Sequence, residues 1–133
     1  MAWQHPIYDR TRHDVVQRTK KGVLNAQDMN RIEGNIQELS SMLSLALQTR
    51  TWTEKDVPVV SDYERILANT RKIRQAYSVY PTTPRVPSTP LNHFEKFNEV
   101  ERILYDVYTI FKNNENPTYY CGEFYAGEAT GVM

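Results

Sequence analysis

The sequence predicts an all-α protein with three long amphipathic helices, a short N-terminal helix and extended aromatic arms at both ends. Three long stretches carry apolar residues at steps of three and four, a spacing that places them on one face of a helix. Each of these stretches starts near an Asn or Ser that is followed three residues later by an acidic residue, which is a helix-start signal. We therefore expect the helices to pack on each other or on copies of themselves.

Residues 1–10, M-A-W-Q-H-P-I-Y-D-R, are predicted to form an extended arm. Trp3, Ile7 and Tyr8 lie around Pro6, which disfavours a helix at this point. An extended segment that carries three large apolar side chains needs a surface on which to dock. We therefore treat Trp3, Ile7 and Tyr8 as candidate interface residues.

A short helix is predicted over residues 12–21. Thr11 followed by Asp14 forms a possible capping box, and Gly22 after two lysines is a natural helix end. The arm and this helix make up a predicted N-terminal unit, residues 1–24.

The central helix is predicted over residues 25–48. Asn25 is the expected N-cap, and Asp28 lies where a carboxylate faces the free amides of the first turn. Gly34 inside this helix indicates either tolerance of glycine or the close approach of a neighbouring backbone. The apolar stripe contains Met29, Ile32, Ile36, Leu39, Leu43 and Leu47.

A second long helix is predicted to begin at a capping box of Ser61 and Glu64. The segment between the two helices is rich in β-branched residues and contains Trp52, so we expect a loop or a short extended piece there. The stripe of the second helix contains Tyr63, Ile66, Thr70, Ile73, Tyr77 and Tyr80, widened by Leu67.

Residues 81–90 form a proline-rich linker with proline at every third position, the period of a polyproline II helix. We expect a semi-rigid spacer before a third long helix, which starts at a capping box of Asn92 and Glu95 or with Pro90 as its first residue. This helix should end at Asn113-Asn114. Its broad stripe predicts the most buried helix, at the centre of a helical domain over residues 25–112, and contains Phe94, Phe97, Val100, Ile103, Leu104, Val107, Ile110 and Phe111.

Residues 113–133 are predicted to form a C-terminal arm with several aromatic residues and glycines and no helical period. Such a segment cannot bury itself, so it packs over the helices or reaches a neighbouring molecule. The candidate interface residues in this arm are Tyr119, Tyr120, Phe124 and Tyr125.

Charge and composition limit the classes of partner. The 16 basic and 16 acidic side chains cancel, which argues against nucleic acid or an anionic membrane as the main partner and makes self-association easier. A single cysteine excludes an intrachain disulfide and a multi-cysteine zinc site. The sequence contains no long apolar run and no secretory leader, so we expect neither membrane insertion nor secretion.

The residue patterns predict no catalytic, cofactor or metal site. The three histidines are far apart in sequence, and the common phosphate-binding and nucleophile motifs do not occur. Cys121 has Glu123 as its nearest charge, an unfavourable setting for a thiolate, and is interpreted as a filler among aromatic residues. The acidic residues fall mostly outside the apolar stripes. We therefore expect a non-enzymatic protein without a cofactor or small-molecule substrate.

Two further features have an ordinary structural interpretation and a functional alternative. The basic cluster of Arg71, Lys72 and Arg74 is interpreted as the solvated face of a helix, with contact to phosphate as the alternative. The proline-rich linker could serve as a ligand for an aromatic groove, although a spacer between two helices is the preferred interpretation.

Several runs of the chain resemble a recurring module in tail and minor structural proteins of phages and prophages of Gram-positive bacteria. The runs cover most of the chain, and their order is more specific than any one of them. They are W-Q-H-P-I-Y-D-R-T-R-H-D-V, K-G-V-L-N-A-Q-D-M-N-R-I-E-G-N-I-Q-E-L-S, P-S-T-P-L-N-H-F-E-K-F-N-E-V-E-R-I-L-Y-D-V-Y and Y-Y-C-G-E-F-Y-A-G-E.

This resemblance implies a virion structural protein of the phage tail, at or near the baseplate, that is made in the bacterial host cytoplasm. Its partners would be other copies of itself and neighbouring tail proteins, which fits arms and amphipathic helices better than a pocket. The alternative is a small helical adaptor or regulator that binds one phage or host protein outside the particle. A cell-wall-degrading enzyme of the tail tip would need a metal or carboxylate site that the sequence does not indicate.

Overall fold

A computed structural model of the chain describes four α-helices and no strand in residues 3–17, 25–88, 90–91 and 93–115, which confirms the predicted all-α class. Across these ranges, no helix is both long and apolar enough to cross a membrane. The C-terminal arm beyond residue 115 lies outside the described residues. The helices are α1 (Arg12–Val16), α2 (Ala26–Met42), α3 (Val60–Ala76) and α4 (Phe94–Glu115).

The three long helices share one hydrophobic core, as their apolar stripes predict. Each pair among α2, α3 and α4 is in contact. Trp52 and Leu91, from the segments between the helices, complete this core. Its buried residues are Met29, Ile32, Ile36, Leu39, Trp52, Ile66, Leu67, Ile73, Leu91, Phe97, Val100, Leu104 and Val107.

Helices α3 and α4 run in the same direction. At their amino-terminal ends the ring of Tyr63 lies 6.2 Å from that of Phe97, and towards their carboxyl ends the ring of Tyr77 lies 5.4 Å from that of Phe111. A parallel pair cannot be joined by a short turn. Residues 77–93 therefore return along the length of the bundle from the end of α3 to the start of α4.

Helix α2 is parallel to the same pair. Arg31 in its second turn binds Glu101 near the start of α4. One turn further along α2, Asn35 binds Gln4, whose neighbour Trp3 stacks on a residue later in α4, Tyr108. Residues 43–59 consequently form a second return segment, from the end of α2 back to the start of α3.

Helix α2, and not α4, is the most enclosed helix, so the expectation that α4 is the most buried helix is wrong. Ten of the seventeen residues of α2 are buried, including the polar residues Arg31, Glu33 and Asn35. Both the N-terminal arm and the segment around Trp52 bind to this helix. These extended segments cover polar positions that the apolar stripe alone would leave in water.

The carboxyl end of α2 also differs from the prediction. The helix ends at Met42, whereas the stripe predicted a helix up to residue 48. Ser44 adopts a left-handed conformation with φ 57°, and the N–H of Leu45 donates to the carbonyl of Ser40 at 2.8 Å. This is a Schellman helix end with serine in the position that glycine usually takes. Leu43 and Leu47 still pack against the core, but from the return segment.

The start of α3 differs from the predicted capping box. The helix begins at Val60, so Ser61 and Glu64 both lie inside it. The carboxylate of Asp62 accepts a hydrogen bond from the N–H of Val59 at 2.9 Å, which satisfies a free amide before the first turn. The helix ends at Ala76, so the last two tyrosines of the predicted stripe follow it.

The starts of α1 and α2 agree with the prediction. Thr11 with Asp14, and Asn25 with Asp28, form reciprocal capping boxes. Residues 18–21 of the predicted short helix lie outside the described residues. So does the predicted cap of α4, Asn92; α4 continues one residue past the predicted end at Asn113-Asn114.

The proline-rich linker is packed against the bundle at two buried positions. Thr83 and Pro87 are buried, and the hydroxyl of Thr83 donates to a carboxylate oxygen of the buried Asp106 at 2.6 Å. Arg74 donates from Nε to the carbonyl of Pro84 at 3.0 Å. The segment connects α3 to α4 as predicted, but its main chain is held by side chains of both helices.

Candidate functional site: the N-terminal arm and its groove

Residues 3–10, hereafter the arm, lie extended in a groove between α2 and α4 and run antiparallel to α4. Arg10 binds Asn98 near the start of α4, and Trp3 stacks on Tyr108 ten residues later. The groove is formed by Arg31, Asn35, Asn98, Glu101, Tyr105 and Tyr108, and it contacts main-chain atoms of the arm as well as side chains.

Two asparagine side chains hold the main chain of the arm. The amide of Asn35 accepts from the N–H of Gln4 at 2.9 Å and donates to the carbonyl of Gln4 at 2.8 Å. The amide of Asn98 makes the same pair of bonds to Arg10, at 3.1 Å and 2.9 Å. A primary amide presents a donor and an acceptor side by side, so it can pair with both polar groups of one residue in an extended chain.

The centre of the groove is the carboxylate of Glu101, which is fully buried. It accepts from Nη2 of Arg10 at 2.7 Å, from Nε and Nη2 of Arg31 at 2.8 Å and 2.9 Å, and from the N–H of Ile7 at 3.1 Å. Four donors satisfy most of the capacity of a carboxylate. The arm supplies two of them, so among the described residues only the guanidinium of Arg31 would still bind Glu101 if the arm were removed.

The guanidinium of Arg31 is buried and carries two ion pairs. Besides Glu101, it binds Asp28 from Nη1 at 2.8 Å. Burial by itself lowers the pKa of Arg31, but the hydrogen bonds and charges of Glu101 and Asp28 outweigh it and raise the pKa above its usual value. The paired carboxylates therefore favour the charged form of Arg31 in the groove.

Aromatic side chains of the arm cover the outer side of α4. The rings of Trp3 and Tyr108 are stacked, with centroids 3.9 Å apart and planes 3° from parallel. Tyr8 lies 5.2 Å from Tyr105 between ring centroids, and the guanidinium of Arg102 lies 5.0 Å above the ring of Tyr8. Such contacts add to the hydrophobic gain from covering α4.

A second extended segment binds α2 in a similar way. The amide of Asn30 accepts from the N–H of Trp52 at 2.6 Å and donates to its carbonyl at 2.8 Å. The indole N–H of Trp52 donates to the buried carboxylate of Glu33 at 2.8 Å, and Arg65 of α3 forms an ion pair with the same carboxylate. Helix α2 therefore binds two extended segments, each through an asparagine amide. A buried glutamate completes each contact, Glu101 of α4 for the arm and Glu33 of α2 for the segment around Trp52.

An open cleft of about 490 Å³ lies beside the arm, at the amino-terminal end of α2. Two of its charged lining residues, Asp28 and Arg31, are paired with each other. Within the described part of the chain, no three histidine, cysteine or acidic side chains converge as metal ligands. The remaining lining residues are His5, Pro6, Ile7, Asp9, Asn25 and Gln27.

The structure places three of the predicted interface residues together. Trp3, Ile7 and Tyr8 are half-buried on the groove of their own chain, and their role between subunits stays a prediction. The other predicted residues, Tyr119, Tyr120, Phe124 and Tyr125, lie outside the described residues, as does Cys121.

The polar residues of the groove were missed by the sequence interpretation. Glu101, Glu33 and Asp106 are among the acidic residues that are buried, although most acidic residues were expected to lie outside the apolar stripes. The position of Glu101 within the apolar part of α4 was the available signal, since a buried glutamate needs a basic partner. Arg10 and Arg31 are those partners, and both fall within the runs quoted above.

Comparison of the chain with known proteins gives no match to a protein-family model, to a curated protein or to a solved structure.

Proposed function

We propose that this chain is a non-enzymatic structural component of a phage tail, in the distal-tail or baseplate region, and acts through contacts between subunits. The observation that carries the proposal is that three of the quoted runs, all within the described residues, meet in three dimensions. Arg10 from D-R-T, Arg31 and Asn35 from N-R-I-E-G-N, and Glu101 from N-E-V-E-R form one network that fixes an aromatic arm to a helical scaffold.

The way in which this network holds the arm supports a role in assembly. Its buried charges bind each other and the main chain of the arm, which leaves the arm's position fixed and its outer side available to a neighbour. Virion tail parts repeat around a symmetry axis, so a small scaffold with defined arms can form the same contact in every copy. The C-terminal segment supplies further aromatic residues that favour interfaces.

Mass spectrometry of purified phage particles tests where the protein acts. A tail component is expected among the virion proteins in a fixed ratio to the other tail proteins. A small helical adaptor or regulator, the alternative function, would be absent from the particles but present in the infected cell. Absence from washed particles would contradict the proposal.

Substitution of the C-terminal aromatic residues tests the proposed subunit contacts. We expect Tyr119→Ser, Tyr120→Ser, Phe124→Ser and Tyr125→Ser together to lower the assembled mass measured by light scattering and to reduce incorporation into particles. The matched control is Glu123→Gln with Glu128→Gln, which alters the same segment and keeps its aromatic residues. Equal assembly of both variants would contradict the role of these four residues.

Zymography with the purified chain tests the non-enzymatic part of the proposal. We expect no clearing on a gel that contains bacterial cell wall. A clearing band would replace the structural role with a cell-wall-degrading activity.

A further inference from the structure

We propose that in the assembled protein the groove between α2 and α4 receives the arm of a second copy of this chain, so that neighbouring copies exchange arms. The inference deepens the proposed function and rests on it, because it names one contact through which copies assemble. In the structure the groove holds the arm of its own chain. An arm from a second copy would make the same contacts.

The groove recognises the arm as it would recognise a separate peptide. Asn35 and Asn98 each pair with the main-chain N–H and carbonyl of one arm residue, and Glu101 accepts from the N–H of Ile7. These bonds join positions 31 to 94 residues apart in sequence. An identical arm from another copy can therefore make every one of them, which is the condition for exchange of an element between protomers.

Two side chains anchor the arm at its ends. Trp3 stacks on Tyr108, and Arg10 enters the buried site of Glu101, where only 6 % of the residue remains exposed. Anchors of this kind dominate the affinity of interfaces. The groove is consequently a complete site for an extended peptide, with a donor and acceptor pair near each end and a charged pocket for one arginine.

The helix that follows the arm does little to hold it to its own chain. None of the residues of α1 is buried, and Val15 and Val16 on this helix are 40 % and 63 % exposed. The arm is thus fixed by the groove and not by the packing of α1. A different position of α1 would lose almost no buried contact.

The connection is also long enough to reach a neighbour. Residues 11–24, with α1 kept helical, can span roughly 35 Å, which is comparable to the diameter of a small domain. A tether of this length gives an effective concentration in the millimolar range for the arm's own groove. In an assembly whose copies lie close enough for this tether to reach the next groove, the arm's own groove loses its advantage in effective concentration. A net charge of zero adds no repulsion between copies.

Crosslinking between two single-cysteine variants tests the exchange. Tyr8 and Tyr105, whose ring centroids are 5.2 Å apart, are both half-buried, so cysteine at either position is compatible with folding. Tyr8→Cys in one chain and Tyr105→Cys in a differently tagged chain, both carrying Cys121→Ser, are unfolded together in urea, refolded and treated with a short bismaleimide. We expect a covalent dimer that carries both tags.

Two controls measure crosslinking by random collision and crosslinking within one chain. A mixture of Val57→Cys and Tyr105→Cys chains reports random collisions, since Val57 is 76 % exposed and not part of the arm. A chain that carries both Tyr8→Cys and Tyr105→Cys reports docking of the arm on its own groove. Exchange predicts several-fold more mixed dimer from the Tyr8 and Tyr105 mixture than from the collision control.

Docking within one chain predicts the opposite result. The double variant would then crosslink internally and run as a monomer, the mixture would give no more dimer than the collision control, and light scattering would report a mass of 15.6 kDa. That result overturns the proposal of arm exchange. It leaves the proposed function untouched, because detection of the protein in virions by mass spectrometry does not depend on how the arm docks.

Discussion

At the scale of single residues, the buried carboxylate of Glu101 decides how the arm, α2 and α4 are held together. A buried ion pair seldom adds much net stability, because the loss of hydration offsets the attraction between the charges. Removing one member is costly all the same, since the remaining charges stay buried without their partner. Arg10 and Arg31 both depend on Glu101 in this way, and both are less than one-tenth exposed.

Replacing Glu101 by glutamine therefore should destabilise the fold. We expect Glu101→Gln to lower the free energy of unfolding by about 3 kcal/mol, because two guanidinium groups lose the charge that balances them. Urea denaturation followed by circular dichroism measures this change. Glu95→Gln, at a side chain 71 % exposed, is the matched control and should change stability by no more than about 0.5 kcal/mol. A loss below about 1 kcal/mol for Glu101→Gln would contradict the importance of the network.

Asp62 links the stability of α3 to pH. The N–H of Val59 donates to its carboxylate, and the charges of Arg65 and Arg50 add to this effect; together they outweigh burial and hold the pKa of Asp62 below its ordinary value of 3.8. A carboxyl whose pKa is lowered by folding stabilises the protein fully above its ordinary pKa. That contribution is lost as the pH falls through the folded value.

The unfolding free energy should accordingly fall as the pH drops below about 4. Asp62→Asn removes the titrating group, so the variant should be less stable near neutral pH, by about 1 kcal/mol, and should show a smaller loss between neutral and acidic pH. Urea titrations across this pH range measure both effects. Glu64→Gln, at an exposed position of the same helix, should leave the pH profile close to that of the unchanged protein.

At the scale of elements, the end of α2 is set by one residue with an unusual backbone conformation. Ser44 has φ 57°, a left-handed conformation that costs a residue with a side chain about 1 kcal/mol. The hydrogen bond from the Leu45 N–H to the Ser40 carbonyl and the packing of Leu43 and Leu47 on the core maintain it. The conformation turns the chain into the return segment that brings Trp52 back to α2.

Glycine at position 44 should stabilise the protein. We expect Ser44→Gly to raise the free energy of unfolding by about 0.5–1 kcal/mol, because glycine adopts positive φ without steric cost. Ser41→Gly, three residues earlier at an exposed position inside α2, is the matched control and should lower stability by about 0.5 kcal/mol or more. Stabilisation by Ser44→Gly together with destabilisation by Ser41→Gly would place the end of α2 between these two positions. Destabilisation by both would contradict the assigned conformation of Ser44.

The two return segments contain no regular secondary structure in their described residues, yet they hold the helices together. Connections of this length are uncommon in compact domains unless they are packed or functional. Both of these are packed: Trp52 is 3 % exposed, and Thr83 is bonded to Asp106. Their main chains are bound by side chains of the helices, which takes the place of the ladder hydrogen bonds of a sheet.

At the scale of the whole molecule, three parallel helices and their return segments depend on one core. Trp52 belongs to the same buried cluster as residues of α2, α3 and α4. No pair of helices can bury its apolar stripe without the third. The bundle should therefore unfold in one cooperative step, as small single domains usually do.

Tryptophan fluorescence tests this cooperativity. In Trp3→Phe, the fluorescence of Trp52 reports the return segment, and its urea midpoint should coincide with that of far-UV circular dichroism, which reports the helices. In the matched variant Trp52→Phe, Trp3 reports the arm, and the same coincidence is expected because Glu101 joins the arm to the core. A fluorescence transition at distinctly lower urea in either variant would show that the corresponding segment detaches before the bundle unfolds.

The direction of the helices also determines where the positive ends of their dipoles lie. Because α2, α3 and α4 are parallel, their positive dipole ends lie at the same end of the bundle. Asp28, Asp62 and Glu95 in the first turns offset this partial charge. The acidic residues at the helix starts could be found in the sequence. Only the parallel arrangement of the helices brings these residues to the same end of the bundle.

The sequence by itself determined the class of fold, the four helices and most of the core. Helical periodicity is a local property, so the stripes from Met29 to Leu39 and from Phe97 to Val107 could be assigned without knowledge of their partners. The capping boxes at Thr11 and Asn25 are local for the same reason, since each joins residues three positions apart.

Only the tertiary structure decided how these elements are combined. The end of α2 at Ser44, the enclosure of α2, the parallel directions and the docking of the arm all depend on contacts between residues far apart in sequence. Asn35 with Gln4 and Glu101 with Arg10 are such contacts, and an isolated polar residue gives no sign of which distant main chain it will bind. Local patterns specify where a helix forms. Buried polar groups, in contrast, find their hydrogen-bond partners only when folding brings distant parts of the chain together.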